Sequence, residues 1–157
     1  MTPYFQSDLL VPAITDDTRP FWESCRRRVL AIQRCADCAT FRHPPTPICF
    51  RCRSFKHEWV PVSGRGTVFT YAVVARAFVP GLPVPHNVVV VALEDAPGVR
   101  LVSNVVDADP VALRIGLPVE VVFEDVSADV TVPRFRVRGP DTGRTPSHSV
   151  SRAGNGA

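Results

Sequence analysis

Gln33-Arg34-Cys35-Ala36-Asp37-Cys38 and, after ten further residues, Cys49-Phe50-Arg51-Cys52 are the stretch on which the fold turns. Each Cys-x-x-Cys offers two thiolates from one tight turn, and two such turns close a tetrahedral shell of soft ligands. Ten intervening residues are fewer than the roughly 15–20 of a common spacing, yet they suffice for a short hairpin. A module of about 30 residues has too little apolar surface to hold itself together. A structural zinc adds on the order of 10 kcal/mol. Cys35, Cys38, Cys49 and Cys52 are therefore expected to form a zinc ribbon. With sulfur at every corner there is no open position for water or substrate, so the metal clips the fold and does no chemistry. A redox dithiol needs a βαβ setting, which the flanking pattern lacks. Iron in a rubredoxin-like site suits the same four sulfurs, and spacing does not choose between the metals.

Upstream, a short helix is expected to begin near Asp17-Thr18, with Pro20 in its first turn where a missing N–H costs little. Phe21, Trp22, Cys25 and Val29 fall at helical spacing on one face, with Arg26, Arg27 and Arg28 mostly on the other. Two aromatics are more than a ribbon can hide, so that face packs on the main domain or on a partner. Cys25, outside both knuckles, reads as a small apolar residue of the helix face.

Downstream the pattern is that of strands. Leu30–Arg34 precedes the first knuckle, and Glu58–Val62, Thr67–Arg76, Val88–Leu93, Val99–Val105, Val119–Val126 and Val130–Val137 follow the second. Their valine, threonine and phenylalanine suit a pleated, half-buried surface. Residues 107–115 interrupt the series, and Asp109 before Pro110 signals a single helical turn. Five strands after Gly66, with that turn between the third and fourth, follow the order of an OB-type barrel; a sandwich wants about seven strands. The expected organisation is mostly β: a lead-in over 1–17, helix and ribbon over 18–63, barrel over 64–138, and a disordered tail over 139–157, where Gly, Ser, Arg and Thr lose all periodicity.

Composition narrows the function. The formal charge is +3, with Lys56 the single lysine among 18 basic residues. The longest apolar run of the N-terminus, Leu9–Ile14, contains Pro12. Neither a leader nor a membrane span is expected, and a reducing, cytoplasmic setting suits metal-bound thiols. No catalytic constellation emerges. Glu94-Asp95 and Glu124-Asp125 read as solvated turn residues, the histidines His43, His57, His86 and His148 lack metal or triad spacing, and Gly64-Arg65-Gly66 reads as a hairpin turn because a strand follows it. Between Arg19 and Glu58, nine basic residues face three acidic ones, a local charge of +6. That surface is either solvated or an anion site, since arginine forks match phosphate oxygens.

Arg19-Pro20-Phe21-Trp22-Glu23, Gln33-Arg34-Cys35-x-x-Cys38 and Pro44-Pro45-x-Pro47-x-Cys49-x-x-Cys52 together resemble one family. So do Trp59–Val68, Ile115-Gly116-Leu117-Pro118-Val119 and Val122-Phe123-Glu124-Asp125. This is the zinc-ribbon/OB-fold family of acyl-CoA-associated proteins, catalogued as domain of unknown function 35. The resemblance covers about residues 18–138. It implies a non-catalytic accessory subunit that holds an acyl-CoA thioester for a thiolase-like partner, in some cases a hydratase. The reactions implied are acyl transfer, condensation or aldol-type cleavage, as in steroid side-chain breakdown. The four cysteines become zinc ligands, Arg42, Arg51 and Arg53 candidates for the phosphates of coenzyme A, and Phe21 and Trp22 a partner-binding face. Ala39 and Arg53 stand where the family commonly has glycine, and Thr46 where it often has arginine. The alternative is a single-stranded nucleic-acid binder, for which both modules are widely used; against it, Phe69 and Tyr71 are followed by Val73 and the basic groups cluster on helix and ribbon.

Overall fold

The computed structural model of the chain describes residues 11–77, 82–109 and 112–139. The expectations for residues 1–10 of the lead-in and 140–157 of the tail lie outside them. Of the turn near Asp109, the Ala112 N–H bonds the Asp109 carbonyl at 2.8 Å, and residues 110–111 fall outside the description.

Among the described residues, one helix, α1 (Arg19–Arg26), precedes eight strands: β1 (Leu30–Cys35), β2 (Phe41–Arg42), β3 (His57–Val62), β4 (Arg65–Val74), β5 (His86–Leu93), β6 (Arg100–Ser103), β7 (Pro118–Asp125) and β8 (Thr131–Val137). Thr18 holds the N-cap position of α1 without capping it, because its hydroxyl accepts from the Thr15 N–H instead. The helix stops before Val29, which is 37% exposed and not part of the apolar face. The reason is a left-handed residue, Arg28 at φ 61°. The Arg28 N–H bonds the Cys25 carbonyl at 2.8 Å and the Val29 N–H bonds Ser24 at 3.0 Å, the paired bonds of a Schellman ending. Arginine in place of glycine hid that stop, and its guanidinium is used, donating to Asp125.

The strands make two antiparallel sheets, in orders β2-β1-β3 and β6-β5-β4-β7-β8. Pro61 is tolerated in β3 because β3 is an edge strand. In β5, Val89, Val91 and Leu93 are buried while Val88, Val90 and Ala92 are half-buried, the alternation of a pleated strand that an all-apolar run does not show in its sequence. The larger sheet curls until its ends meet. The Val106 N–H bonds Phe135 O at 2.7 Å, and the Phe135 N–H bonds Asn104 O at 2.9 Å. Asn87, 1% exposed, extends the closure: its side-chain amide donates to Val105 O at 2.8 Å and accepts from Val105 N–H at 2.7 Å. Asn87→Ala would orphan both backbone groups in the interior. Chemical denaturation is expected to show a loss of about 3 kcal/mol.

Ribbon and barrel share a core. Phe21 and Cys25 of α1 and Leu30 and Ile32 of β1 belong to the same buried cluster as Val68, Val89, Val105, Val119 and Phe135 of the barrel. Cys25 fits its bland reading, since burial pushes its thiol up to about 12, far from reactive.

Two turn assignments need correction. Gly64-Arg65-Gly66 is not a hairpin, because β3 and β4 belong to different sheets; it is the point where the chain passes from ribbon to barrel. Glu124 is not a solvated turn residue. It pairs with Arg134 at 2.7 Å, the two side chains being 16% and 11% exposed, and neighbouring Asp125 accepts from Thr131 at 2.6 Å. Among the described residues, no helix is long and apolar enough to cross a membrane.

Candidate metal centre and binding surfaces

The sulfurs of Cys35, Cys38, Cys49 and Cys52 all lie within 4.8 Å of one another. Cys35 Sγ is 3.5 Å from Cys52 Sγ, and Cys38 Sγ is 3.6 Å from Cys49 Sγ. A disulfide would need about 2.05 Å. A tetrahedron with metal–sulfur bonds of about 2.3 Å has edges of about 3.8 Å, close to what is seen.

Two equivalent knuckles hold the sulfurs there. The Ala39 N–H bonds Cys35 O at 2.9 Å and the Cys35 N–H bonds Thr40 O at 2.9 Å. In the second, the Arg53 N–H bonds Cys49 O at 2.8 Å and the Cys49 N–H bonds Ser54 O at 2.9 Å. A Ser54–Asp37 bond of 2.6 Å ties one knuckle to the other. The ionisation of the set is uneven. Hydrogen bonding to Thr40 holds the Cys38 thiol down to about 6. At Cys52 the Ser54 amide acts to lower the pKa, but the Cys38 sulfur and desolvation prevail and push it up to about 12. Four thiolates side by side need a cation between them, and a divalent metal supplies it.

Ala39 at φ 57° and Arg53 at φ 61° are both left-handed, each closing one knuckle. A Cβ in that region costs about 1 kcal/mol relative to glycine. Ala39→Gly is therefore expected to raise the ribbon's stability by about 1 kcal/mol, read as a higher chelator concentration or temperature at half-unfolding.

Residues 22–58 match the family model described as ChsH2, rubredoxin-like zinc ribbon domain, and residues 59–124 the one described as ChsH2, C-terminal OB-fold domain. Among solved structures, a chain of the "Ltp2-ChsH2(DUF35) aldolase" superposes with a TM-score of 0.74 at 38% identity, covering 80% of this chain and 98% of that one. The chain belongs to the ChsH2/DUF35 family. A probable enoyl-CoA hydratase alpha subunit from Thermomonospora curvata is 39% identical over 129 residues, 82% of this chain and 40% of the relative. The 3-oxo-4,17-pregnadiene-20-carboxyl-CoA hydratase alpha subunit of Mycobacterium tuberculosis is 38% identical over 117 residues, 74% of this chain and 37% of the relative. This DUF35 chain thus spans about two fifths of those two relatives.

The other predicted site residues are dispersed. Arg51 and Arg53 are exposed on the second knuckle, whereas Arg42 on β2 is 2% exposed, so the three arginines do not present one surface. Phe21, expected on a partner-binding face, is 3% exposed and lies in the chain's own core, against which the apolar face of α1 folds. Trp22 meets Phe21 edge-on at 4.9 Å and stays half-buried. With His43 and Pro45 it lines a mostly apolar cleft of about 360 Å³ between helix, ribbon loop and barrel.

The exposed apolar surface lies elsewhere. Phe50 is 76% exposed and Phe55 69% on the ribbon. Phe69, Tyr71 and Val73 are exposed on the outer half of β4, where β4 pairs with β5 alone because its pairing with β7 ends at Thr67. Among the described residues this half of β4 has no neighbour on its β7 side, and an edge strand exposed on both faces is a surface that natural proteins cover. A β-bulge at Phe69, between Val68 and Thr70, interrupts the register where the arm begins, and no composition signal marks that break.

Proposed function

We propose that this chain is a non-catalytic subunit that binds acyl-CoA and supports a thiolase-like or hydratase partner in cytoplasmic acyl-CoA metabolism. The reaction class would be acyl transfer or aldol-type carbon–carbon cleavage, with steroid side-chain degradation as one setting. The observation that carries this reading is the near-complete coverage, at 38% identity, of a chain of the solved "Ltp2-ChsH2(DUF35) aldolase". Zinc held by Cys35, Cys38, Cys49 and Cys52 would keep the ribbon folded and take no part in turnover. Arg51 and Arg53 are the groups proposed for the phosphates of coenzyme A, because both are exposed and carry forks suited to phosphate oxygens. The β4 arm and the half-exposed edge of Trp22 are the proposed partner contacts. Among the described residues, the adjacent carboxylates are engaged with arginine, threonine or backbone partners, which supports a role without catalysis of its own.

Expressed alone, the chain is expected to self-associate through the β4 arm. Co-expressed with a thiolase-like protein from the same host, it should purify as a stoichiometric complex. A stable monomer that retains no such partner would count against the proposal. One observation favours nucleic acid instead: Arg100 stacks over exposed Phe69 at 4.3 Å, a stacking platform with a cation. Titration with labelled single-stranded DNA at two salt concentrations separates the readings, since a nucleic-acid binder must bind at low salt and weaken as salt rises.

A further inference from the structure

Arg42 is the one arginine in the described chain that is both fully interior and unpaired. Its side chain is 2% exposed, and neither Nε, Nη1 nor Nη2 has a hydrogen-bond partner. A guanidinium keeps its charge at every working pH, so it cannot escape burial by losing a proton as a buried lysine does. Buried charge without a counter-charge is strongly unfavourable. The fold's other interior arginine shows the usual remedy: Arg134 is held by Glu124 and donates to Asn104. Around Arg42 the carboxylates of the ribbon are committed, Glu58 to Arg34 and Asp37 to Ser54 and Lys56.

Arg42 lines a recess of about 330 Å³ between the ribbon hairpin and the turn that precedes β6. Its walls are chiefly Phe41, Pro44, Phe50, Pro97 and Val99, with hydroxyls from Thr40 and Thr46. We propose that this recess is a carboxylate site, in which a monoanionic carboxylate borne on an apolar body pairs with the Arg42 guanidinium. Charge balance selects the ligand class. No second arginine or lysine lines the recess, and burial pushes His43, also on its wall, down to about 4, so the imidazole is neutral at pH 7. A single planar carboxylate matches one guanidinium fork, whereas a phosphate dianion would leave charge uncompensated. The apolar walls favour a hydrocarbon attached to the carboxylate. Phe50, 76% exposed, is the wall with room to swing aside for entry. This site is separate from the coenzyme A phosphate contacts proposed for Arg51 and Arg53.

The test uses the full zinc-loaded chain, with sodium acetate, hexanoate or phosphate replacing chloride at constant ionic strength in a thermal-shift titration. Both carboxylates are expected to raise the melting temperature, hexanoate with a Kd at least about tenfold below that of acetate because its methylenes enter the apolar walls. Phosphate should do no more than chloride, and Arg42→Met should lose the carboxylate effect. Should that variant fail to fold, the wild-type chain labelled with ¹⁵N-arginine gives the second readout: hexanoate is expected to shift one buried Nε–H resonance. No carboxylate protection beyond chloride, equal protection of Arg42→Met, a stronger effect of phosphate, or an unmoved buried Nε–H resonance would each overturn the proposal.

Discussion

Replacing Cys35 or Cys52 with serine is expected to unfold the ribbon and abolish assembly with a partner. A four-thiolate zinc centre contributes on the order of 10 kcal/mol to a module of this size, comparable to the whole stability of a typical domain. Serine withdraws one of the four ligands and leaves a hydroxyl that stays protonated. The damage should not stop at the knuckles, because β1 carries Leu30 and Ile32 into the core shared with the barrel. Metal content, circular dichroism and co-purification would therefore fall together, and a strong chelator should reproduce the effect in the unmutated chain. If the Cys35→Ser protein assembled normally and only turnover of the complex fell, the metal would be working in catalysis and the structural reading would fail.

Gly64→Ala carries the next largest expected effect. Gly64 has φ +73°, and an added Cβ would lie 2.1 Å from Val121 Cγ1 and 2.8 Å from Val121 Cβ. The left-handed backbone costs a side chain about 1–2 kcal/mol, and overpacking a tight contact typically about 1–3 kcal/mol. Val121 has little freedom to yield, because it is β-branched and because its N–H bonds the Gly64 carbonyl at 2.9 Å. A loss of about 3 kcal/mol or more is expected in denaturant unfolding. Adding Val121→Ala should recover the part due to overlap and leave the part due to φ. No recovery in the double variant would place the whole cost in the backbone.

Much of the fold was legible because its signals are local. The valine-rich run Val88–Leu93, the Cys-x-x-Cys pairs and the order of five strands around one short turn each follow from neighbouring residues, and the structure has them. Strand ends moved by one or two residues, as at β4, which runs Arg65–Val74. What escaped depended on distant partners. Arg28 ends the helix without the glycine that advertises such a stop, helped by an ion pair to Asp125, 97 residues away. Glu124 looked solvated until β8 brought Arg134 beside it.

The candidate sites divide in the same way. Cysteine spacing alone brought four sulfurs to one point, since two tight turns leave thiolates few other geometries. The arginines carried no such information, because a cation's role depends on what surrounds it. Sequence placed Arg42, Arg51 and Arg53 in one group; tertiary packing put the first in the interior and left the others on the surface. Likewise the amphipathic face of α1 was evident from spacing, but whether it met a partner or the chain's own barrel was decided only when β1, β7 and β8 closed around Phe21 and Cys25. Local chemistry thus determined the metal site and the strand content. Burial, charge pairing and the exposed apolar arm of β4 were settled by contacts between residues far apart in the chain.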